Sequence, residues 1–210
     1  MKTCFIVGYG AGVGHGAARV FAEAGYQLAL FCRTPARFQE LSTPLSARTF
    51  AADAGQPAQL SASLTEAVNQ LGAPEVLIYN AVAFRQKRPS QLTPDDLQSD
   101  FSVNVIGASV AVSSLLPRMK SGSLLFTGGG WALYPDPAVS STAIGKAGLR
   151  HYALMLSEEL KGGPVKAGIV TILGQVSAGG AFDPEAIGRA FLKLHQHCGP
   201  ELQTEILFSG

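Results

Sequence analysis

The sequence predicts a single α/β domain in which a mostly parallel sheet is covered by helices on both faces. Short apolar runs, rich in branched and aromatic residues, alternate with runs of helical periodicity from one end of the chain to the other. This alternation is typical of βαβ units and therefore of a parallel, doubly wound sheet. The 210 residues contain no internal repeat or linker, and 47% of them are hydrophobic, so we expect one domain with a sizeable core.

Seven strands are predicted, each from a short apolar run that ends at a glycine, a polar residue or the end of the chain. Helices are predicted between them, and Thr34-Pro35, Thr93-Pro94 and Asp183-Pro184 each mark a helix start. Proline is favoured at the first helical position because the N–H that it lacks would have no intrahelical partner. The predicted strands are 4–7, 27–32, 48–52, 75–80, 123–127, 166–173 and 205–208. The better-defined helices are 14–24, 57–71, 94–116 and 141–160.

Composition and charge exclude several classes of protein. The net charge of +1, from 16 basic and 15 acidic residues, does not suit a dedicated nucleic-acid binder. No apolar run approaches the roughly 18 residues of a membrane helix, and no secretory cleavage site follows the first strand. We therefore expect a soluble, cytoplasmic protein without a membrane partner.

Cysteine and histidine usage predicts neither a disulfide framework nor a metal site. Cys4, Cys32 and Cys198 are scattered, and no C-x-x-C occurs. His195-x-His197-Cys198 is the nearest approach to a ligand cluster. Residues two apart on a helix do not face the same way, however, and no partner ligands are evident.

A glycine-rich loop connects the first strand to the first helix and predicts a phosphate site. Its sequence is Gly8-Tyr9-Gly10-Ala11-Gly12-Val13-Gly14. The N-terminus of a helix attracts phosphate through its unpaired N–H groups and dipole, and glycines let the backbone approach the ligand closely. The spacing fits G-x-x-x-G-x-G, whereas G-x-G-x-x-G fails in register and no P-loop lysine follows. The loop indicates a Rossmann-like dinucleotide site; the alternative is a tight connection without a ligand.

The end of the second strand predicts which dinucleotide is bound. An acid at this place would bind the ribose 2′-OH of NAD. Here the strand ends at Cys32, Arg33 follows, and Arg37 comes one helical turn later. A guanidinium suits a 2′-phosphate through a forked, charge-assisted contact, so NADP(H) is favoured over NAD(H). The alternative is a solvated arginine pair.

These residues, taken in order, resemble the short-chain dehydrogenase/reductase family over essentially the whole chain. The match starts with three glycines of the loop and includes Asn104 in the long helix and Lys146 in the next. The resemblance implies that Asn104 supports a proton relay and that Lys146 binds the nicotinamide ribose. The cofactor-binding residues that the loop and the resemblance imply are Gly8, Tyr9, Gly10, Gly12, Val13, Gly14, Arg33, Asp53, Asn80, Ala81 and Lys146.

The chain departs from the family pattern at the two positions that carry the proton chemistry. Counting back four residues from Lys146 reaches Thr142, where the family has its catalytic tyrosine. Thirteen residues earlier stands Gly129, where the family has its catalytic serine. A threonine hydroxyl is shorter and far less acidic than a phenol, so Thr142 is not expected to replace the tyrosine in place.

Another group near the carboxyl edge of the sheet would then have to supply the proton. Tyr134 is the phenol in the loop after the fifth strand, and Trp131 lies beside it; alternatively, both are apolar packing at the nicotinamide side. His15 is interpreted as a helix-terminus residue rather than a base. The basic stretch Phe84–Arg88 is either a solvated loop or a contact for an acidic substrate.

Two functions remain open at this point. The first is an NADPH-dependent oxidoreductase acting on a small carbonyl or alcohol with a non-standard acid. The second is a dinucleotide-binding protein with little chemistry, serving as a sensor or partner subunit.

The helix 141–160 carries apolar and small residues on a broad stripe, including Ile144, Gly148 and Met155. With the resemblance, this stripe predicts a homodimer or homotetramer.

Overall fold

The computed structural model describes residues 2–197 and 204–210 and contains one sheet of seven strands. The strand order is 3-2-1-4-5-6-7, and all six neighbouring pairs are parallel. The predicted parallel α/β sheet is therefore confirmed. Because the order reverses between the first and fourth strands, the crevice at their carboxyl ends is where such sheets bind ligands.

The seven strands lie close to their predicted positions. The first and fourth strands are buried along their whole length, as expected when helices cover both faces of a parallel sheet. The fifth is longer than predicted because it continues through Thr127 to a pair of glycines. The strands are β1 Thr3–Val7, β2 Gln27–Cys32, β3 Arg48–Ala51, β4 Val76–Tyr79, β5 Gly122–Gly129, β6 Val165–Ile172 and β7 Glu205–Phe208.

Helices cover both faces of this sheet. Two helices pack on one face through Phe21 and Phe191, and three pack on the other through Leu60, Ala108 and Leu149. A π-helical segment, Ser102–Ile106, joins the fourth helix to the fifth. The helices are α1 Val13–Glu23, α2 Gln39–Ser42, α3 Pro57–Leu71, α4 Pro94–Phe101, α5 Gly107–Leu115, α6 Ser140–Glu159 and α7 Pro184–Gln196.

Two of the three predicted helix starts have the expected caps. The Thr93 hydroxyl accepts a hydrogen bond from the Asp96 N–H, and the Asp96 carboxylate accepts one from the Thr93 N–H. The Asp183 carboxylate accepts from the N–H groups of Glu185 and Ala186 at the start of α7. These reciprocal or paired bonds satisfy donors that a helix start leaves free.

The third predicted helix start, Thr34-Pro35, opens only a short 3-10 turn, Pro35–Phe38, and the Thr34 side chain makes no capping hydrogen bond. The four-residue α2 follows this turn. Pro44 accounts for the short length of α2, because its ring cannot continue a helix through that position. A second 3-10 turn, Thr43–Leu45, ends the segment instead.

The expectation that no run is long and apolar enough for a membrane span needs correction. Within the described ranges, the helical run Pro94–Arg118 is long and apolar enough to cross a membrane, judged by length and composition alone. Ala108, Ala111 and Leu115 of this run are fully buried against the sheet. An apolar core helix passes the same test, and packing in the core accounts for these residues.

Of the two histidines at the end of α7, His195 packs inside the protein, whereas His197 is exposed. His195 contacts the Tyr26 hydroxyl at 2.8 Å through Nε2 and the Ser123 hydroxyl at 2.9 Å through Nδ1. Burial lowers the pKa of His195. Among the described residues, no group of three or more His, Cys, Asp or Glu side chains could hold a metal ion; Cys198 lies outside those residues.

Candidate active site

Two neighbouring clefts lie at the carboxyl ends of the central strands. The smaller, of about 300 Å³, lies over β1 to β4, and the larger, of about 810 Å³, lies over β4 to β6. Asn80 and Val82 line both. The smaller cleft is lined by the predicted site residues Gly8, Tyr9, Arg33, Asp53, Asn80 and Ala81. The larger is lined by Val13, Asn80, Tyr134, Thr142 and Lys146; Gly10, Gly12, Gly14 and Asn104 line neither.

The glycines of the first loop differ in what a side chain at each position would meet. Gly8 has φ +86°, and a side chain there would overlap the main chain of Ala81. A Cβ on Gly14 would lie 3.1 Å from both the Gly8 carbonyl oxygen and the Tyr9 Cα. At Gly12, which precedes α1, no described atom outside the adjoining residues lies within 4 Å of the place that a Cβ would occupy. Packing against the rest of the protein does not require this glycine.

Hydrogen bonds hold this loop in its shape. The Asn80 side-chain amide donates to the Gly8 carbonyl at 2.9 Å, which ties the end of β4 to the loop after β1. The buried Tyr9 places its hydroxyl 3.0 Å from His15 Nδ1, and burial raises the Tyr9 pKa to about 12. His15 is thus a helix-terminus residue in contact with Tyr9, as expected from the sequence.

The smaller cleft brings basic side chains together with one acid. Arg33 and Arg37 line it beside Cys32, and Arg33 makes no ion pair with any described residue. Asp53, after β3, also lines the cleft, and its Oδ1 accepts a hydrogen bond from the Gly55 N–H at 2.9 Å. This end of the site therefore has guanidinium groups for an anion and a held carboxylate.

The larger cleft contains a buried ammonium group. Lys146 Nζ donates to the Thr127 carbonyl oxygen at 2.7 Å, and burial lowers the Lys146 pKa to about 8. A Cβ added at Gly129 would lie 3.6–3.7 Å from carbons of the Lys146 side chain, which is an ordinary contact distance. The cleft therefore has room for a small side chain beside the lysine, although the sequence has glycine there.

Thr127 is a polar residue of this site that the sequence analysis missed. Its hydroxyl oxygen is buried and finds no hydrogen-bond partner among the residues that the structure describes. Unpaired buried hydroxyls are uncommon in proteins, and a ligand is one of the usual partners of such a group. The signal in the sequence is a threonine at the end of the mostly apolar run of β5.

Thr142 and Asn104 both bind the main chain of the loop after β4. The Thr142 hydroxyl donates to the Ala83 carbonyl at 3.3 Å and accepts from the Arg85 N–H at 3.2 Å. Asn104, in the π-helical segment, accepts from the Ala83 N–H at 2.7 Å and donates to the Ala83 carbonyl at 3.2 Å. Gly145 lets α6 approach closely, because a Cβ there would lie 2.6 Å from the Cβ of Asn104.

The solvated-loop interpretation of the basic stretch is wrong for two of its residues. Arg85 pairs with Asp100 through Nε at 2.7 Å and with Asp96 through Nη1 at 2.7 Å. Lys87 Nζ lies 2.6 Å from Asp96. Asp96 and Asp100 are one turn apart on α4, so both face the loop. Both cations are therefore paired with carboxylates of α4.

The aromatic residues after β5 lie at the mouth of the larger cleft. Tyr134 is 73% exposed and its hydroxyl makes no hydrogen bond to the described residues. Trp131 contacts Phe84 of the loop after β4, with ring centroids 6.0 Å apart. Both interpretations of Tyr134, a proton donor or an apolar wall, are compatible with this position.

Sequence comparison with known proteins identifies relatives across most of the chain. A model of the short chain dehydrogenase family matches residues 2–177. A 2,3-dihydro-2,3-dihydroxybenzoate dehydrogenase from Escherichia coli K12 is 29% identical over 174 residues, which are 81% of this chain and 68% of that protein. The enzyme of the same name from Bacillus subtilis 168 is 26% identical over 178 residues, with the same coverage of 81% and 68%.

Solved structures share the fold at lower sequence identity. A metagenomic short-chain oxidoreductase in complex with NADP superposes with a TM-score of 0.88 at 21% identity, over 98% of this chain and 96% of that one. A 3-ketoacyl-(acyl-carrier-protein) reductase from Brucella melitensis complexed with NADH also has a TM-score of 0.88, at 19% identity, over 98% and 95%. The matched family region spans β1 to β6 and both clefts, so this chain belongs to the short-chain dehydrogenase family, whose members bind a nicotinamide dinucleotide.

Proposed function

We propose that this protein is an NADP(H)-preferring oxidoreductase that transfers hydride to or from a small carbonyl or alcohol without the usual serine and tyrosine. The observation that carries the proposal is the adjacency of the two clefts, whose linings share Asn80 and Val82. The basic end at Arg33 and the buried ammonium at Lys146 thereby line neighbouring clefts at the same edge of the sheet. When bound, the nicotinamide group supplies or accepts the hydride.

The residues of the two clefts fit a dinucleotide. The N-terminus of α1 at Gly12 would hold the pyrophosphate, and Asp53 would contact the adenine side. Arg33 would bind a 2′-phosphate, because its guanidinium has no competing carboxylate partner among the described residues. Lys146 would bind the nicotinamide ribose, and the unpaired Thr127 hydroxyl next to it offers a further polar contact.

Tyr134 is the proposed proton donor. Gly129 has no hydroxyl, and the hydroxyl of Thr142 already hydrogen-bonds to Ala83 and Arg85. The phenol of Tyr134 faces no such competitor and lines the cleft that contains Lys146. Lys146 keeps a positive charge in that cleft and would stabilise negative charge that develops on a neighbouring oxygen.

A direct test separates cofactor binding from chemistry. NADPH and NADH are titrated into the protein while the fluorescence of the reduced nicotinamide is recorded, and a panel of aldehydes and ketones is then screened for NADPH oxidation. We expect tighter binding of NADPH and measurable turnover of at least one carbonyl. Absence of cofactor binding would overturn the proposal.

The second candidate is a dinucleotide-binding protein without dehydrogenase activity. Its supporting observation is the use of the Thr142 hydroxyl by the loop after β4. Binding of NADPH without turnover on a broad panel would favour it, especially if Gly129→Ser with Thr142→Tyr created activity. A serine side chain has room beside Lys146, and tyrosine at position 142 would replace the hydroxyl that binds Ala83 and Arg85.

A further inference from the structure

We propose that Phe84 and Trp131 form a rigid subsite for a planar, uncharged ring of the substrate. This inference names a substrate class for the proposed function. It rests on that function because the larger cleft is taken as the side that binds the substrate. The two rings come from different segments, the loop after β4 and the turn after β5. Their centroids are 6.0 Å apart and their planes are inclined by 34°.

Both rings keep much of their surface open at the cleft although they contact each other. Phe84 is 56% exposed and Trp131 is 37% exposed, and both line the cleft beside Val82 and Tyr134. Clustered exposed aromatic groups at a cleft are typical of binding sites, because covering them with an apolar ligand removes that surface from water.

The main chain on each side of Phe84 is fixed by buried polar groups. Ala83 hydrogen-bonds through both its N–H and its carbonyl to the Asn104 side chain. Arg85 donates its N–H to Thr142 and its guanidinium to Asp100. The phenyl ring is therefore presented from a loop with little freedom, so a ligand would not have to order it on binding. Asn104 and Thr142 are positioning residues in this arrangement.

The charges around the cleft favour a ring without a carboxylate. Among the described residues that line it, Lys146 is the one cation, and its ammonium is bonded to the Thr127 carbonyl. Asp136 adds a negative charge. Arg85 and Lys87, the nearest further cations along the loop, are paired with acids of α4. A carboxylated ring would lose its hydration without gaining a free cationic partner.

Three matched ketones test the subsite: acetophenone, cyclohexyl methyl ketone and 4-acetylbenzoate. Trp131 is the only tryptophan of the chain, so its single indole N–H signal in a ¹⁵N-labelled sample reports arrival of a ligand at this place. Titrations are performed with and without saturating NADP⁺. We expect acetophenone to shift this signal and to bind about three- to tenfold more tightly than each of the other two.

Variants then assign the effect to the ring pair. Phe84→Leu should abolish the preference for acetophenone over cyclohexyl methyl ketone, because it keeps apolar volume but removes the aromatic face. Phe101→Leu is the matched control, since Phe101 is a partly exposed phenylalanine on α4 that does not line the cleft. It should leave the preference intact. Loss of the preference in both variants, or in neither, would overturn the proposal.

The positioning role of Thr142 has its own readout. Thr142→Val removes the hydrogen bonds to Ala83 and Arg85 and should reduce the preference for acetophenone, whereas Thr142→Ser keeps the hydroxyl and should retain it. Equal selectivity in the two variants would contradict the role. Acetophenone preference without NADPH binding would sustain the subsite and refute the proposed function. NADPH turnover without that preference would refute the subsite alone.

Discussion

Lys146 shows at the residue scale how this site combines function with a cost in stability. Its ammonium is buried and donates to one main-chain carbonyl, and burial lowers its pKa to about 8. A charged group held in this way is destabilising unless a ligand or a partner charge compensates it. Perturbed titratable groups cluster at functional sites for this reason. Arg33 and Tyr134 differ from Lys146, because their side chains remain available in the clefts for a ligand.

Replacement of Lys146 by methionine should raise the free energy of unfolding at pH 7. The lowered pKa means that the folded state binds this proton less well than the unfolded chain, where the value is about 10.4. The cost is present in full below pH ~8 and disappears as the pH rises to ~10.4. The gain in free energy of unfolding that Lys146→Met gives, measured by urea unfolding, should therefore shrink between those two pH values. An advantage that does not vary with pH, or one shared by the exposed control Lys161→Met, would contradict this explanation.

Arg33→Ala should weaken NADPH binding roughly ten- to hundredfold and leave NADH binding nearly unchanged. The reason is the loss of a charge-assisted contact with the 2′-phosphate, which NADH lacks. Fluorescence titration of both cofactors measures the effect, and Arg189→Ala, an exposed change on α7, serves as the control. Equal affinities of the unmodified protein for NADPH and NADH would disprove the predicted preference.

Tyr134→Phe should lower kcat by about 10²–10⁴ while the affinity for NADPH stays the same, because general acid catalysis contributes a factor of this size. Single-turnover kinetics with a carbonyl substrate found in the panel provides the measurement. A variant with unchanged kcat would show that Tyr134 is part of the cleft wall and not the proton donor.

At the scale of elements, the loop after β4 is bonded to α4, to the π-helical segment that follows α4, and to α6. Its main chain hydrogen-bonds to the π-helical segment and to the start of α6, and Arg85 pairs with two acids on α4. The Ser141 hydroxyl donates to Asp100 at 2.7 Å, so this carboxylate connects α4, α6 and the loop. The loop, α4 and α6 consequently form one unit beside the larger cleft.

Asp100→Asn should lower the unfolding temperature at pH 7 because it removes the ionised acceptor of these bonds. Hydrogen bonding from Arg85, aided by Ser141, lowers the pKa of Asp100. The stabilisation is therefore present above the unfolded-state value of ~3.9 and is lost as the pH falls through the lower folded-state value. The difference between the two proteins should narrow from pH 5 downward in thermal unfolding. Asp95→Asn, an exposed change on the same helix, is the control, and a comparable loss there would refute the assignment.

The whole molecule is organised around the point where strand order reverses. β1 and β4 are neighbours, and the clefts open at their carboxyl ends. Helices shield both sheet faces, yet several large apolar side chains of α4, the π-helical segment and α6 stay exposed: Phe101, Ile106, Ile144 and Met155. Exposed large apolar side chains on neighbouring elements are typical of association surfaces.

We therefore predict a homodimer or homotetramer that uses this surface. Multi-angle light scattering at micromolar concentration should give at least twice the mass of one chain, and Ile144→Glu with Met155→Glu should reduce it to that of the monomer. A Lys161→Glu control should not change the mass. A monomeric unmodified protein at that concentration would rule the prediction out.

Much of the fold follows from local patterns in the sequence. The strands could be located from short apolar runs, and α3, α6 and α7 from their periodicity and from helix starts such as Asp183-Pro184, because burial of one face imposes a repeat on neighbouring residues. The glycine loop after β1 was equally readable, since a phosphate site at a helix start constrains residue types over a few positions. The resemblance carried by Lys146 and Asn104 indicated the family.

Hydrogen-bond and ion-pair partners were decided only by the tertiary structure. Thr142 binds Ala83 and Arg85, which are more than fifty residues away in the chain, and Arg85 pairs with acids of another element. The unpaired hydroxyl of Thr127 likewise depends on what surrounds the end of β5. Apolar periodicity is a property of adjacent residues, so the sequence by itself determined the elements and the glycine-rich connection after β1. The partners of polar side chains depend on how distant segments pack, and only the folded chain decided that Thr142 holds a loop.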